Sequence, residues 1–171
     1  MKRAIVGLCA LAALAVGCAP PGSDDGGSSP DRATPKPGPT EKVGKTYDMG
    51  TTVKTEAGSL ITVSGWAKVA PERPDPPGPG QVYESIAVTF CAGPDVDVSG
   101  REVARYFFLE LPNDNRVSPD SATGKKELRA KGKIPPGTCV YAPIVFQVGG
   151  GTKPKHVVFE STPKATRWVV P

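Results

Sequence analysis

Few side chains in this chain of 171 residues have the chemistry of a catalytic site. The only histidine is His156, and the apolar run 157–159 that follows it is typical of a β-strand. Nucleophilic catalysis by serine or cysteine needs a base held beside the nucleophile, and no such arrangement surrounds His156 in the sequence. We therefore expect a surface or cross-strand role for this histidine.

A run of oxygen-bearing side chains lies near the middle of the chain. Asp95, Asp97 and Ser99 alternate with valines, and Gly100 follows at the sixth position, as in the first half of an EF-hand calcium loop. The twelfth position is Tyr106, where that loop has a bidentate glutamate. These three residues are a candidate calcium site, although we favour an acidic loop in solvent and predict no metal.

Catalysis by a pair of carboxylates needs no histidine. The candidates are Asp95, Asp97, Glu102 and Glu110. Such an enzyme would need two of these carboxylates in one cleft, about 5 to 9.5 Å apart. We keep a carboxylate-based cell-envelope enzyme as an alternative, and we predict that the chain is not an enzyme and uses no cofactor.

The amino terminus carries the signals of export. Two basic residues precede an apolar run of 13 residues, 4–16, which is shorter than the about 20 residues that cross a bilayer but suits a signal peptide. The run leads into Leu14-Ala15-Val16-Gly17-Cys18, which resembles the bacterial lipobox. We predict that residues 1–17 are removed and that Cys18 becomes the lipid-bearing first residue, because the diacylglycerol is attached to a thiol.

The segment after Cys18 has the composition of a tether. Pro, Gly and Ser occupy 14 of the 26 positions from 19 to 44, so the segment has too little apolar surface to offset its ordering entropy. The expected organisation is a signal peptide at 1–17, a lipidated and disordered linker at 18–44, and one domain at 45–171. The lipid would hold this domain on the extracytoplasmic face of the cell membrane.

Two cysteines remain in the expected domain, since Cys9 would leave with the signal peptide and Cys18 would carry lipid. Cys91 and Cys139 are then a single pair in an oxidising compartment, and we predict a disulfide between them. The bridge would close a loop of 49 residues, worth about 4 kcal/mol in the chain-entropy model, with α-carbons about 4.4 to 6.8 Å apart. A redox-active pair and a soft-metal site are the alternatives, and both lack a CxxC spacing and companion ligands.

These residues must be positioned by β-strands, because the periodicity of the domain is two and no window of 11 residues is a convincing amphipathic helix. Glu84 interrupts an otherwise apolar strand face, and Pro143 must lie at a sheet edge, a bulge or a strand start. Strand-like segments lie at 60–66, 82–91, 104–111, 140–148, 156–160 and 166–170, with turns at 112–115 and 135–137 and a proline-rich insertion at 71–80. The pattern predicts an all-β protein, an antiparallel β-sandwich of seven to nine short strands.

The charge of the exported chain is nearly balanced. Removal of residues 1–17 lowers the formal net charge from +4 to +2, with 19 basic and 17 acidic residues. Basic residues cluster at 125–133, but no aromatic residues lie between them to stack on bases. We therefore expect no nucleic-acid partner and interpret this cluster as a solvated strand and hairpin face.

Several stretches resemble a family of uncharacterised lipoprotein domains from Gram-positive, especially actinobacterial, species. That family is similar to the immunoglobulin-like, secreted immunoprotective antigen domains. The resemblance spans roughly residues 43–170 and implies an immunoglobulin-like sandwich outside the membrane, with no catalytic or binding residues to carry over. The stretches are Gly44-Lys45-Thr46-Tyr47, Val88-Thr89-Phe90-Cys91-Ala92, residues 134–148 and Trp168.

The functional hypothesis is a membrane-anchored extracellular lipoprotein that acts as a non-catalytic binding module. Its expected partners are the membrane, through the lipid on Cys18, and an unidentified protein or cell-envelope component bound by loops or a sheet face. The tether and the absence of a nucleophile beside a base are the observations behind this hypothesis. A structural or antigenic surface protein is a further alternative.

Overall fold

The computed structural model describes residues 41–42, 44–68, 75–121, 124–161 and 164–171. Twelve strands occur in these residues, and eight of them have three residues or more. The strands are β1 (Glu41–Lys42), β2 (Thr46–Asp48), β3 (Thr52–Lys54), β4 (Leu60–Lys68), β5 (Gln81–Cys91), β6 (Val98–Ser99), β7 (Phe107–Glu110), β8 (Arg116–Val117), β9 (Lys133–Ile134), β10 (Cys139–Gly149), β11 (His156–Phe159) and β12 (Thr166–Val169). The predicted all-β sandwich is confirmed, whereas the signal peptide, Cys18 and the linker up to residue 40 lie outside the described residues.

The sandwich consists of two five-stranded sheets. Sheet A has the strand order β1-β3-β4-β5-β10, sheet B has the order β2-β12-β11-β7-β8, and β6 pairs with β9 in a small third sheet. The pairings are antiparallel, as predicted, except for β1 with β3 and β2 with β12, which are parallel. A parallel pair cannot be closed by a tight hairpin, and β2 and β12 come from opposite ends of the domain, so a hairpin-based prediction could not anticipate them.

The core lies between the two sheets and follows the predicted alternation. Ile86, Val88 and Phe90 point inward from β5, whereas the side chains between them face outward. Glu84 shares the inward face and is 1% exposed, and its Oε2 accepts a hydrogen bond from Trp66 Nε1 at 3.1 Å. An indole donor from β4 therefore explains how a carboxylate is accommodated in an apolar row.

Strand β10 is the edge strand of sheet A, and it contains Pro143 as predicted. A proline has no N–H to donate, so an edge strand is where it costs the ladder least. Farther along the same edge, Asp120 N donates to Val145 O at 2.9 Å and Pro119 forms a bridge with Phe146. The chain thereby crosses from β8 in sheet B to sheet A and covers part of the edge.

The predicted disulfide between Cys91 and Cys139 is present, and it links two residues that face each other directly across β5 and β10. The neighbouring pair is hydrogen-bonded, with Ala92 N donating to Thr138 O at 2.9 Å, so the cysteines occupy the narrow, non-hydrogen-bonded position. Their α-carbons are 3.9 Å apart, which is closer than the expected range. The expected range of α-carbon distances applies to disulfides of all kinds. Residues directly opposite each other at a narrow position have α-carbons that are already close together.

One short helix interrupts the predicted strand at 104–111. Residues Gly100–Ala104 form the helix α1, and β7 begins only at Phe107. A 3-10 helix at Leu128–Ala130 packs against α1. Five residues are too few to give a helical period in a sequence window, so only the cap signal could have indicated α1. No helix in the described residues is long and apolar enough to cross a membrane.

The whole described sandwich belongs to one compact unit of the chain, residues 35–171. This unit contains every strand, the core between the sheets and both cysteines of the disulfide. Strand β1 shows that the sheet takes its first two residues from the segment assigned to the linker. A unit with its own complete core is expected to fold by itself.

Candidate functional site

A cleft of about 310 Å³ opens at one end of the sandwich. Five separate segments form it: the β3–β4 turn, the end of β5, the loop and strand at 96–98, helix α1 with its following turn, and the end of β11 with the residues after it. Its lining residues are Thr55, Glu56, Ala57, Ser59, Phe90, Val96, Val98, Val103, Tyr106, Phe159 and Ser161. A concave, mainly apolar cavity of this size is the usual form of a small-molecule site.

The β3–β4 turn that forms one wall is held by its own polar groups. Thr55 N donates to Ser59 O at 2.8 Å, and Ser59 N donates to Thr55 Oγ1 at 3.0 Å. The hydroxyl of Ser59, which is buried, accepts a hydrogen bond from Gly93 N at 3.0 Å. A side chain at Gly93 would collide with the carbonyl oxygen of Ala57, so only glycine lets the two segments approach this closely. The wall is therefore preformed.

Aromatic rings form the other wall of the cleft. Tyr106 meets Phe159 edge to face with ring centres 6.1 Å apart, and Phe107 packs on the same Phe159 at 5.0 Å. Phe159 and Phe90 are buried, whereas Tyr106 is 39% exposed and lies at the rim. Glu56 is the one charged residue among the lining residues. The cleft is therefore suited to a neutral, largely apolar group.

Helix α1 closes the cleft from the side through Val103 and is fixed by a capping box. The Ser99 hydroxyl accepts a hydrogen bond from Glu102 N at 3.3 Å, and Ser99 N donates to Glu102 Oε2 at 2.7 Å. Ser99 Oγ also donates to Glu102 Oε2 at 2.8 Å, and the hydrogen bonds from Ser99 N and Ser99 Oγ, the backbone one above all, lower the pKa of Glu102 below its ordinary value. Ser99 and Glu102 thus have a structural role at the helix start.

The calcium candidates Asp95, Asp97 and Ser99 lie in the loop that leads into α1. Ser99 caps the helix, and Asp97 Oδ2 forms an ion pair with Lys133 Nζ at 2.8 Å. Asp95 is exposed in a turn. Within the described residues, no group of three or more His, Cys, Asp or Glu side chains is arranged to hold a metal ion. The structure gives two of the three candidates other partners.

The carboxylates considered for catalysis are divided between two parts of the molecule. Asp95, Asp97 and Glu102 belong to the loop and helix beside the cleft, whereas Glu110 ends β7 on the outer face of sheet B. Glu110 Oε2 accepts hydrogen bonds from His156 Nδ1 at 2.8 Å and from Arg167 Nε at 3.2 Å. His156 is therefore the cross-strand partner of a carboxylate, and neither residue lines the cleft.

Sequence reasoning missed the residues that form the cleft. Tyr106, Phe159 and Ser59 were assigned to strands or to the turn before a strand, which says nothing about which end of the sandwich they share. Their strands lie far apart in sequence and are brought together by tertiary packing. The one local signal was the pair Gly93 and Gly100, since glycines that flank an acidic loop allow close backbone approach.

The fold and the cleft define the class of this protein: a disulfide-linked β-sandwich with an apolar cleft at one end. No protein-family model matches the chain, and no curated protein matches it. Among solved structures, it is similar to MPT63, a secreted protein of Mycobacterium tuberculosis, with 18% identity and a TM-score of 0.56 over 72% of this chain and 95% of that chain.

Two further structures share the arrangement to different degrees. An uncharacterized β-sandwich protein of Clostridium difficile 630 is 13% identical, with a TM-score of 0.52 over 80% of this chain and 100% of that chain. A candidate lipoprotein of Bacillus subtilis is 16% identical, with a TM-score of 0.48 over 76% of this chain and 38% of that chain. At these identities the likeness shows the fold, which fits a distant family resemblance.

Proposed function

We propose that this protein is a non-catalytic binding module on the extracytoplasmic face of the cell membrane, whose cleft receives the apolar part of a small neutral ligand. The observation that carries the proposal is the preformed cleft of about 310 Å³ between the Ala57 turn and the Tyr106 wall. Sandwiches host many functions, so the proposal rests on this site and not on the fold.

The volume of the cleft sets the size of the ligand. An apolar cavity of roughly 150 Å³ holds one benzene ring, so a cleft of about twice that volume suits a two-ring aromatic group or a short acyl chain. None of the described residues that line it is a lysine, an arginine or a histidine, which disfavours an anionic ligand. The Tyr106 hydroxyl at the rim is placed to bond with a polar group that stays in solvent.

A binding role rather than catalysis is supported by how the polar groups near the cleft are used. The hydroxyls of Ser59 and Thr55 accept hydrogen bonds from backbone N–H groups, and neither has a histidine beside it. The only histidine is bonded to Glu110 on the outer face of sheet B. An arrangement of this kind can hold a ligand but offers no activated nucleophile.

The binding test uses residues 35–171 and the neutral fluorescent probe N-phenyl-1-naphthylamine. We expect saturable binding of one probe per chain. The change Ala57→Trp should weaken it by about tenfold or more, because the indole occupies space that the ligand needs. The matched control is Val169→Trp, an exposed position on β12 in sheet B, which should bind as the original chain does. Equal binding by the Ala57→Trp variant would reject the cleft as the site.

The location follows from the lipobox-like motif that ends at Cys18. The similar mycobacterial protein is described as secreted, which supports a position outside the cytoplasm. We expect Cys18→Ala to abolish incorporation of labelled palmitate and to leave a longer, unprocessed chain on a gel, because no other thiol lies at the motif. Labelling that survives this change would exclude the lipid anchor.

A further inference from the structure

The two outer faces of the sandwich differ in charge. The outer face of sheet B carries charged residues that pair with one another, as in the Glu110–His156–Arg167 cluster and in the Arg116–Glu160 ion pair of 2.9 Å. This is the usual surface of an antiparallel sheet that faces water. The outer face of sheet A differs from this pattern.

Among the side chains that the structure describes, the outer face of sheet A carries no charged residue along β4, β5 and β10. We call this surface the neutral face; Lys54, on the neighbouring β3, is the charged residue at its corner. Residues 75–78 cover the sheet beyond this face, where the Tyr83 hydroxyl donates to Asp75 O at 3.2 Å. The outward positions of the neutral face are Leu60, Thr62, Gly65 and Ala67 on β4, Ser85, Ala87, Thr89 and Cys91 on β5, and Cys139, Tyr141 and Pro143 on β10.

The hydroxyl groups of the neutral face are partly used within the sheet. Thr62 Oγ1 and Thr52 Oγ1 lie 2.7 Å apart and share a hydrogen bond, and Ser85 Oγ donates to Ala67 O at 3.5 Å. A polysaccharide would need such hydroxyls as hydrogen-bond partners. Because Thr62 and Ser85 use their hydroxyls within the sheet, the face offers a polysaccharide fewer partners, which favours a protein partner with a similar surface.

The neutral face has one projecting side chain and, beside it, a shallow groove. Tyr141 is 52% exposed and projects from β10. Beside it, a shallow groove of about 280 Å³ is floored by the small residues Gly65, Ala67, Ser85 and Ala87. An aromatic ring fits a groove of this size. One face therefore carries both halves of a knob-and-groove contact.

We propose that the neutral face binds a second copy of this chain through a two-fold axis, with Tyr141 of each copy in the groove of the other. A two-fold contact requires that one surface be complementary to itself, and an adjacent knob and groove meet this requirement. The absence of charge allows the two faces to meet without repulsion or unpaired buried ions. The contact is on the outer face of sheet A and is independent of the cleft.

The size of the neutral face indicates a weak dimer. Its eleven positions, at ordinary strand spacing, cover about 700 Å² in flat projection for two copies, and more when the relief of Tyr141 is included. Interfaces below about 1,200 Å² belong to the weak or transient class. We therefore expect a dissociation constant in the range of tens to hundreds of micromolar.

The test is sedimentation velocity of residues 35–171 from about 10 µM to 1 mM. The original chain should shift from monomer to dimer over this range. The variant Ala87→Arg, which fills the groove with a charged side chain, should remain a monomer throughout. The variant Ala67→Arg, at an exposed position, should also remain a monomer. It replaces Ala87→Arg in the test if Ala87→Arg does not unfold cooperatively and is therefore misfolded. Val169→Arg, on sheet B, is the control that should still dimerise.

A mixing experiment separates this contact from non-specific association. Tyr141→Ala lacks the knob but keeps the groove, whereas Ala87→Arg keeps the knob and lacks the groove. Alone, Ala87→Arg should remain a monomer and Tyr141→Ala should dimerise at least about fivefold more weakly than the original chain. An equimolar mixture should regain part of the dimer because one of the two knob-and-groove contacts is restored. A monomeric original chain at 1 mM would overturn the proposal. Dimers that both arginine variants retain, or a mixture that regains nothing, would overturn it as well.

Discussion

At the scale of single residues, Glu110 shows how a sheet face fixes a carboxylate. It lies directly across from His156 in the β7–β11 pair, and Arg167 reaches it from β12. Burial raises the pKa of Glu110, but the hydrogen bonds from His156 and Arg167 outweigh it, so the pKa lies below its ordinary value of 4.5. The negative form is therefore stabilised in the folded protein.

The substitution Glu110→Gln should lower the free energy of unfolding by about 1 to 2 kcal/mol near neutral pH. Because the folded pKa is depressed, the contribution is complete above pH 4.5 and is lost as the pH falls through the lower folded value. Urea unfolding of both chains between pH 6 and pH 2.5 should show the difference closing at the acid end. Glu160→Gln is the control, since its ion pair with Arg116 is exposed and should contribute less than about 0.5 kcal/mol. A difference independent of pH would contradict this account.

At the scale of elements, α1 depends on close contact with the 3-10 helix at 128–130. Gly100 N donates to Lys131 O and Gly132 O, both at 3.1 Å, and Gly100 is buried. A Cβ atom at Gly100 would collide with the carbonyl oxygen of Leu128. The side wall of the cleft is thus positioned by backbone that has no room for a side chain.

The change Gly100→Ala should therefore cost about 2 to 3 kcal/mol of stability, since the two backbone segments must move apart. It should also weaken probe binding, because Val103 on α1 lines the cleft. The matched control is Gly132→Ala in the adjoining segment, where nothing lies within 4 Å of the new Cβ and a change below about 0.5 kcal/mol is expected. Thermal unfolding and probe titration measure both effects, and equal stability of the two variants would refute the packing argument.

At the scale of the whole molecule, the disulfide stabilises sheet A, and crossings of the chain between the two sheets hold the sandwich together. The bridge joins β5 to β10, the two longest strands, and closes the segment that contains α1, β7, β8 and β9. On the opposite side, the chain passes from β2 in sheet B to β3 in sheet A, and Trp168 Nε1 donates to Thr51 O in that crossing at 3.0 Å. On the β10 side, Asp120 N donates to Val145 O where the chain crosses from β8 to sheet A, so the chain ties both open sides of the sandwich.

Replacement of both Cys91 and Cys139 by Ala should lower stability by about 2 to 5 kcal/mol and leave the β-sheet circular-dichroism spectrum recognisable. The reason is that the unfolded chain regains the freedom of the closed loop, while the paired strands lose no hydrogen bond. The original chain treated with a reducing agent should unfold at the same urea concentration as the double variant. Mass spectrometry should find no alkylated thiol at these positions before reduction, and ready alkylation of the native protein would disprove the bridge.

The sequence by itself determined the long strands and the turns between strands. Strands β5 and β10 have alternating apolar residues over eleven positions, and the turns at 112–115 and 135–137 have the proline, asparagine and glycine that turns require. The restriction of Pro143 to a sheet edge, a bulge or a strand start and the pairing of Cys91 with Cys139 followed from the same kind of reasoning. Backbone geometry and the count of thiols are local properties, so a single sequence contains them.

Only the tertiary structure decided which residues share a site. Strands β1, β2 and β3 have two or three residues each, too few for a periodic signal, and they exist because a neighbouring strand offers unpaired backbone groups. The cleft assembles Ala57, Val103 and Phe159 from three distant segments, and the neutral face assembles positions from three strands. Contacts between segments far apart in sequence depend on which strands pair, and the alternation within one strand fixes only which of its residues face inward.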